Sequence, residues 1–214
     1  MKKALIAAAV AAFSSTAMAI EPHSYNYVEL GWFDRTEELD VGLPNDELEG
    51  DGYSLAGSFR AESGVLFQFN YSDGEIDRAW GEDLSGTGVS ADYKKYGVLV
   101  GAASQATERT SFWGGVGFDR EELEVAVSGF GSDTAEVDEI HFGGGVRHSL
   151  VDMLELNAGL RAIHFRGEDD NDSDVEVSAG LRFQPVSLVS IGASYSRLLD
   201  FETEIVKADV RLQF

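Results

Sequence analysis

From Ser24 onward, apolar residues recur at every second position in short segments separated by Gly, Asp and Ser clusters, and helical spacing is almost absent. That alternation constrains the fold more than any other feature. No stretch approaches the roughly 18 consecutive apolar residues of a spanning helix. If the chain enters a membrane, it must do so as a closed barrel, because an open sheet would leave backbone groups unpaired in lipid.

The clearest hairpin joins residues 53–60 to 65–72. Tyr53, Leu55, Gly57 and Phe59 share one face, as do Val65, Phe67, Phe69 and Tyr71. The pattern repeats at 96–103 with 111–119, at 140–149 with 154–165, and at 175–183 with 189–195. Single segments at 25–33 and 204–214 open and close the series, which predicts ten strands. The even count fits an all-β, closed antiparallel up-and-down transmembrane barrel. Connections alternate accordingly: short links near 61–64, 104–109, 150–153 and 184–187, against long or charged links at 34–51, 73–92, 119–139, 167–174 and 200–204. Tyr25, Phe112, Phe183 and Phe214 are expected to form an inner aromatic girdle, and Trp32, Tyr53, Tyr71 and Phe118 an outer one. A soluble exported sandwich would also show strands and polar turns, but would not need aromatics at both ends of its apolar faces.

The first 19 residues set the compartment. Lys2 and Lys3 precede an apolar run over 4–13, and Ala17-Met18-Ala19 has the A-x-A form of a cleavage site. Export with cleavage after Ala19 is expected, leaving residues 20–214 as one barrel domain in the bacterial outer membrane. Composition agrees. A mean hydropathy of −0.13 is too polar for a bundle of membrane helices. With 16 Lys and Arg against 38 Asp and Glu, the net charge of −22 excludes nucleic acid as a partner. The absence of Cys excludes disulfide frameworks and thiolate chemistry.

The terminal stretch Val206-Lys207-Ala208-Asp209-Val210-Arg211-Leu212-Gln213-Phe214 resembles the C-terminal signal of bacterial outer-membrane barrels. Its final Phe214 follows apolar residues at alternate positions, among them Val210 and Leu212. The opening Ser24-Tyr25-Asn26-Tyr27-Val28-Glu29 with Gly31, and the hairpins ending in Tyr71-Ser72 and Leu160-Arg161, are similar to small proteobacterial outer-membrane proteins of the xanthomonad type. That resemblance implies insertion by the barrel-assembly machinery and brings no catalytic residues.

With the apolar face toward lipid, the interior receives Glu29, Glu155, Glu176 and Asp209 together with Arg60, Arg147, Arg161, Arg182, Lys207 and Arg211. Arg147 and Glu155 should stand opposite each other across their turn. Arg60, Arg147, Arg182 and Arg211 form a basic ring near the periplasmic mouth. Two readings follow: an ion-pair network that closes the lumen, or the constriction of a small porin-like diffusion channel. Inward glycines at 97, 101, 115, 117, 143, 145, 159, 180 and 192 leave room for side chains lying across the lumen, or for water.

The long links hold 30 of the 38 acidic residues. They are expected to collect divalent cations diffusely and to meet outer-membrane lipid and lipopolysaccharide through them. Asp170, Asp172 and Asp174 show the alternating oxygens of a calcium loop but lack the following Gly and the distal Glu. Of the histidines, His141 is expected inward near the outer end. No triad or carboxylate dyad can be specified among His23, His141, His148 and His164, so no enzymatic activity and no cofactor is expected.

Overall fold

Strict alternation of side-chain character favours extended backbone, and here it sustains strands longer than the apolar segments alone. The computed structural model describes residues 23–38, 47–79, 81–167 and 171–214, so the export segment 1–19 lies outside the described residues. The strands are β1 (Tyr27–Glu38), β2 (Glu47–Arg60), β3 (Val65–Ala79), β4 (Glu82–Asp83), β5 (Val89–Thr107), β6 (Thr110–Val127), β7 (Gly131–Val151), β8 (Leu154–Arg166), β9 (Asn171–Val186), β10 (Val189–Leu198) and β11 (Thr203–Gln213). The two-residue β4 is an appendage on β3. The other ten pair antiparallel in sequence order, and β1 pairs with β11 from Tyr27 opposite Gln213 to Glu37 opposite Thr203. The result is a closed up-and-down barrel without an unpaired edge.

The short turns gather at one end. At residues 61–64, Gly64 takes a φ of 86° and its N–H donates to the Ala61 carbonyl at 2.9 Å, a backbone conformation that suits glycine. Between β7 and β8, where the register shifts near Ser149 and Val151, Ser149 rather than Arg147 stands opposite Glu155; Arg147 stands opposite Asn157. The expected direct pairing of Arg147 with Glu155 is therefore corrected to a diagonal one, because the turn is made by Asp152 and Met153, later in the chain than equal offsets from it require, and the bulge makes up only one residue of the difference.

Polarity reverses along the strands. In the lower part of β6, Phe112, Val116 and Phe118 are exposed to the lipid side, while Ser111 and Asp119 are fully buried on the lumen side. Above Asp119 the same two faces exchange character: Glu122 and Glu124 continue the outward set, and Leu123 turns to the interior. On β1, Leu30 and Trp32 face outward and Phe33 is buried; on β7, Ile140 and Phe142 face outward and Val137 lines the interior. This corrects the reading of residues 73–92 and 119–139 as links. Both are mostly strand, since β3 runs to Ala79, β5 starts at Val89, β6 runs to Val127 and β7 starts at Gly131. At about 3.4 Å per residue, the 18 residues of β6 extend some 60 Å. About 9–11 tilted residues suffice to cross a bilayer. The remainder projects beyond the outer surface as a water-facing extension, so an apolar interior and a charged exterior are what it needs.

The outer girdle marks the boundary. Trp32 Nε1 donates to Asp51 at 2.8 Å, Tyr71 Oη to Asp73 at 2.9 Å and Tyr96 Oη to Glu122 at 3.1 Å, so each ring lies against lipid and its polar tip turns to the wet side.

Candidate functional site

The lumen is the place where polar chemistry converges, and it is filled from the periplasmic end upward. Residues 23–25 precede β1 and fold into that mouth. Tyr25 is expected in the inner girdle from its position, but it is buried in the lumen and packs with Leu66, Leu99 and Ala103, with Trp113 against them. Alternation puts Tyr25 in the inward phase with Tyr27 and Glu29, so its position at the strand end, not its phase, is what suggests a girdle. Its hydroxyl is 2.9 Å from Ser111 Oγ, and the Arg147 guanidinium lies 4.9 Å from its ring centre. Arg147 donates twice to Glu155, each at 2.9 Å, and once to the Ser24 carbonyl at 2.9 Å. The fully buried His23 ring sits 3.0 Å from the second Glu155 oxygen. Arg60, at the end of β2, has its guanidinium 6.0 Å from the Tyr25 ring on the same tier.

Above this plug, Glu29 gathers three cations. Its carboxylate accepts from Arg211 at 2.7 and 2.9 Å, from Lys207 at 2.8 Å and from Arg182 at 3.0 Å. Arg182 also pairs with Asp209 at 2.7 Å. The expected basic ring is thus an alternating one, with Arg147, Arg182 and Arg211 each set against a carboxylate. A cavity of about 190 Å³ remains between plug and network, lined by Tyr25, Glu29, Trp113, Arg147 and Arg182 among others.

Inward glycines supply the space for these side chains. A Cβ on Gly192 would meet the Arg182 guanidinium at 2.7 Å, one on Gly143 the Arg161 stem at 2.6 Å, and one on Gly145 the Trp113 indole at 2.7 Å. A Cβ on Gly97 would fall on the Asp119 carboxylate, and one on Gly117 on His141 Nε2.

A second charged tier lies toward the outer end. Arg161 donates to Glu176 at 2.6 and 3.2 Å and stands 3.5 Å from Asp119, which is itself 3.3 Å from His141 Nδ1. Arg35 donates to Glu121 at 3.0 Å and to Glu37 at 2.7 Å, and Lys95 donates to Glu139 while lying 3.7 Å from Glu121. Arg161 and Glu176 are anticipated by sequence alternation. Arg35, Lys95, Asp119, Glu121 and Glu139 are not, because an acidic stretch reads as a solvated link unless the alternating phase is followed through it. This tier is the floor of an outward-opening vestibule. Its main cavity is about 530 Å³, and an adjoining one of about 250 Å³ shares Arg35, Glu37, Tyr93, Glu121 and Val137.

At the outer rim, Asp174 Oδ1 accepts from the backbone N–H groups of Val175, Leu199 and Asp200, and Oδ2 from that of Phe201 at 3.1 Å. Both oxygens are occupied in holding the β10–β11 loop. Asp172 is exposed, and Asp170 lies outside the described residues. No group of three His, Asp or Glu side chains suited to a metal converges among the described residues. Burial together with the neighbouring Asp51 carboxyl holds Asp77 above the usual carboxylate range, and a hydrogen bond with Glu202 does the same for Glu38.

No curated protein matches the chain. Among solved structures, Neisserial surface protein A superposes with a TM-score of 0.50 at 12% identity, covering 89% of this chain and 98% of the other. The translocator domain of the autotransporter NalP from Neisseria meningitidis superposes with a TM-score of 0.53 at 13% identity, covering 100% of this chain and 95% of the other. These likenesses establish a shared barrel fold. The outer membrane protein beta-barrel domain family matches residues 5–183, most of the length over which the alternation, the girdle and the filled lumen are laid out, and the chain belongs to that family as a protein of the bacterial outer membrane.

Proposed function

We propose that the protein is a non-conducting outer-membrane barrel, without enzymatic activity, whose work is done at its outer face. The observation that carries this reading is the plug: Tyr25, Leu66, Leu99, Ala103 and Trp113 pack across the periplasmic mouth with the Arg147–Glu155 pair beside them and the Glu29 network above. A desolvated, paired network resists opening, since separating any pair strands a charge in a narrow space. Export by cleavage after Ala19 and recognition of Val210, Leu212 and Phe214 by the barrel-assembly machinery belong to the same reading; Val210 and Leu212 face lipid. The β6–β7 tip supports a surface role. It carries Phe130 at 92% exposure beyond the charged extension, where a lone aromatic can anchor contact with lipopolysaccharide or another surface. His23 stands 3.4 Å from Ser149 Oγ and 3.0 Å from Glu155, but its ring is fully buried in the plug, which disfavours catalysis there.

Planar-bilayer recording tests the closure. Many insertions of the purified protein should give no ohmic steps. Steps with anion preference, weakened by Arg147→Ala or Arg182→Ala, would instead establish the diffusion-channel reading, which the 190 Å³ lumen cavity favours.

A further inference from the structure

The vestibule above the second charged tier combines apolar walls with a floor short of positive charge. Val137, Ile163, Phe165, Leu198, Phe201 and Ile205 line its main cavity of about 530 Å³, within the span of roughly 300–1,000 Å³ common for small-molecule sites. Phe165 and Phe201 meet edge to face, with ring centres 5.1 Å apart, and form one wall. On the floor, the cations Arg35, Lys95 and Arg161 confront the carboxylates of Glu37, Asp119, Glu121, Glu139 and Glu176, so three positive charges meet five negative ones.

Glu139 is the focus of that imbalance. Its side chain is 1% exposed and it lines the cavity. Lys95 donates to Oε1, whereas the buried Oε2 has no donor among the described residues. A buried carboxylate oxygen without a donor is costly, and an alkylammonium group brings three N–H donors and one positive charge. The exterior carries the same preference, since a net charge of −22 concentrates cations and repels anions at the mouth.

We propose that the vestibule binds a cationic amphiphile, its ammonium head at Glu139 and its apolar tail between Phe165, Phe201 and Ile205. The proposal rests on the closed floor of the preceding reading only to hold the ligand at the outer end. Conductance tests that floor; titration tests the pocket.

The experiment places the protein in nanodiscs of zwitterionic lipid and titrates octylammonium, octanoate and octanol, reading the methyl resonances of Ile163 and Ile205. Octylammonium should give saturable shifts at a concentration about tenfold or more below that for octanoate. Glu139→Gln should bring octylammonium to the level of octanol. Ile205→Trp, which fills the cavity without altering its charge, should weaken octylammonium and octanol alike, with heat-modifiable gel migration verifying the fold. Octanoate or octanol matching octylammonium in the wild type would overturn the proposal. Shifts that never saturate would do the same, as would a charge preference surviving in Glu139→Gln. Should that variant not fold, the wild-type ranking and Ile205→Trp decide.

Discussion

Gly97 lies under the Asp119 carboxylate, so a side chain there must displace a group that is also held by Arg161 and His141. Gly97→Val should therefore cost about 1–3 kcal/mol, an overpacking penalty, read as a lowered urea midpoint for folding in lipid vesicles. Gly114 provides the comparison. A Cβ there meets nothing nearer than the Gly143 carbonyl at 3.5 Å, and Gly114→Ala should stay within about 0.5 kcal/mol. Equal losses at the two sites would refute the packing account. The inward set of glycines is legible from alternation alone. Which side chain lies over each is not, because that partner comes from another strand whose register is set by turns and bulges. Arg147 illustrates the limit: its bond to Glu155 follows from proximity to the turn, yet the turn at Asp152 and Met153 sets the register so that the contact is diagonal rather than direct.

The strands carry two opposite amphipathic patterns in one continuous phase. Val116 faces lipid and Glu124 faces water on the same side of β6, so a charge should be costly at the first position and dispensable at the second. Val116→Arg should cost about 2–4 kcal/mol if near the bilayer midplane, while Glu124→Gln should change stability by less than about 0.5 kcal/mol. The urea titration used for the glycines measures both, and a large loss at Glu124 would contradict the placement of the boundary near Phe118. This reversal explains what the sequence hides. Hairpin order, turn positions and the ten-strand count depend on alternation within lipid, where apolar residues are uniformly outward. Above the girdle the sign changes, so Leu123 and Val137 continue the inward phase while their neighbours are acidic. A search for apolar outward faces stops at that point, and the vestibule goes unseen with it.

For the molecule as a whole, charge distribution decides how the outer end behaves. Asp119, Glu139 and Asp174 are buried inside, yet Asp77 with Asp51 and Glu38 with Glu202 still crowd at the rim. The folded-state pKa values of Asp77 and Glu38 are raised, so the repulsion is present at neutral pH, declines as pH falls through those values, and is gone below the unfolded carboxylate value of about 4. Magnesium or calcium should accordingly raise thermal stability gradually over the millimolar range at pH 7.5, and the gain should shrink as pH is lowered toward the carboxylate range. Asp172→Asn should change little. A single saturable micromolar transition abolished by Asp172→Asn would contradict diffuse binding. The reversal of polarity at the girdle also bears on where the barrel rides in its membrane. Sinking would drag first Arg120 and then Glu122 into hydrocarbon, so the outer end acts as a depth stop. The periplasmic end has a softer edge. Leu150, Val151, Met153, Val186 and Leu188 are exposed in its turns beside only a few charges, Glu62, Glu108, Arg109 and Asp152, so local thickening or thinning of the bilayer is absorbed there more readily than at the outer end.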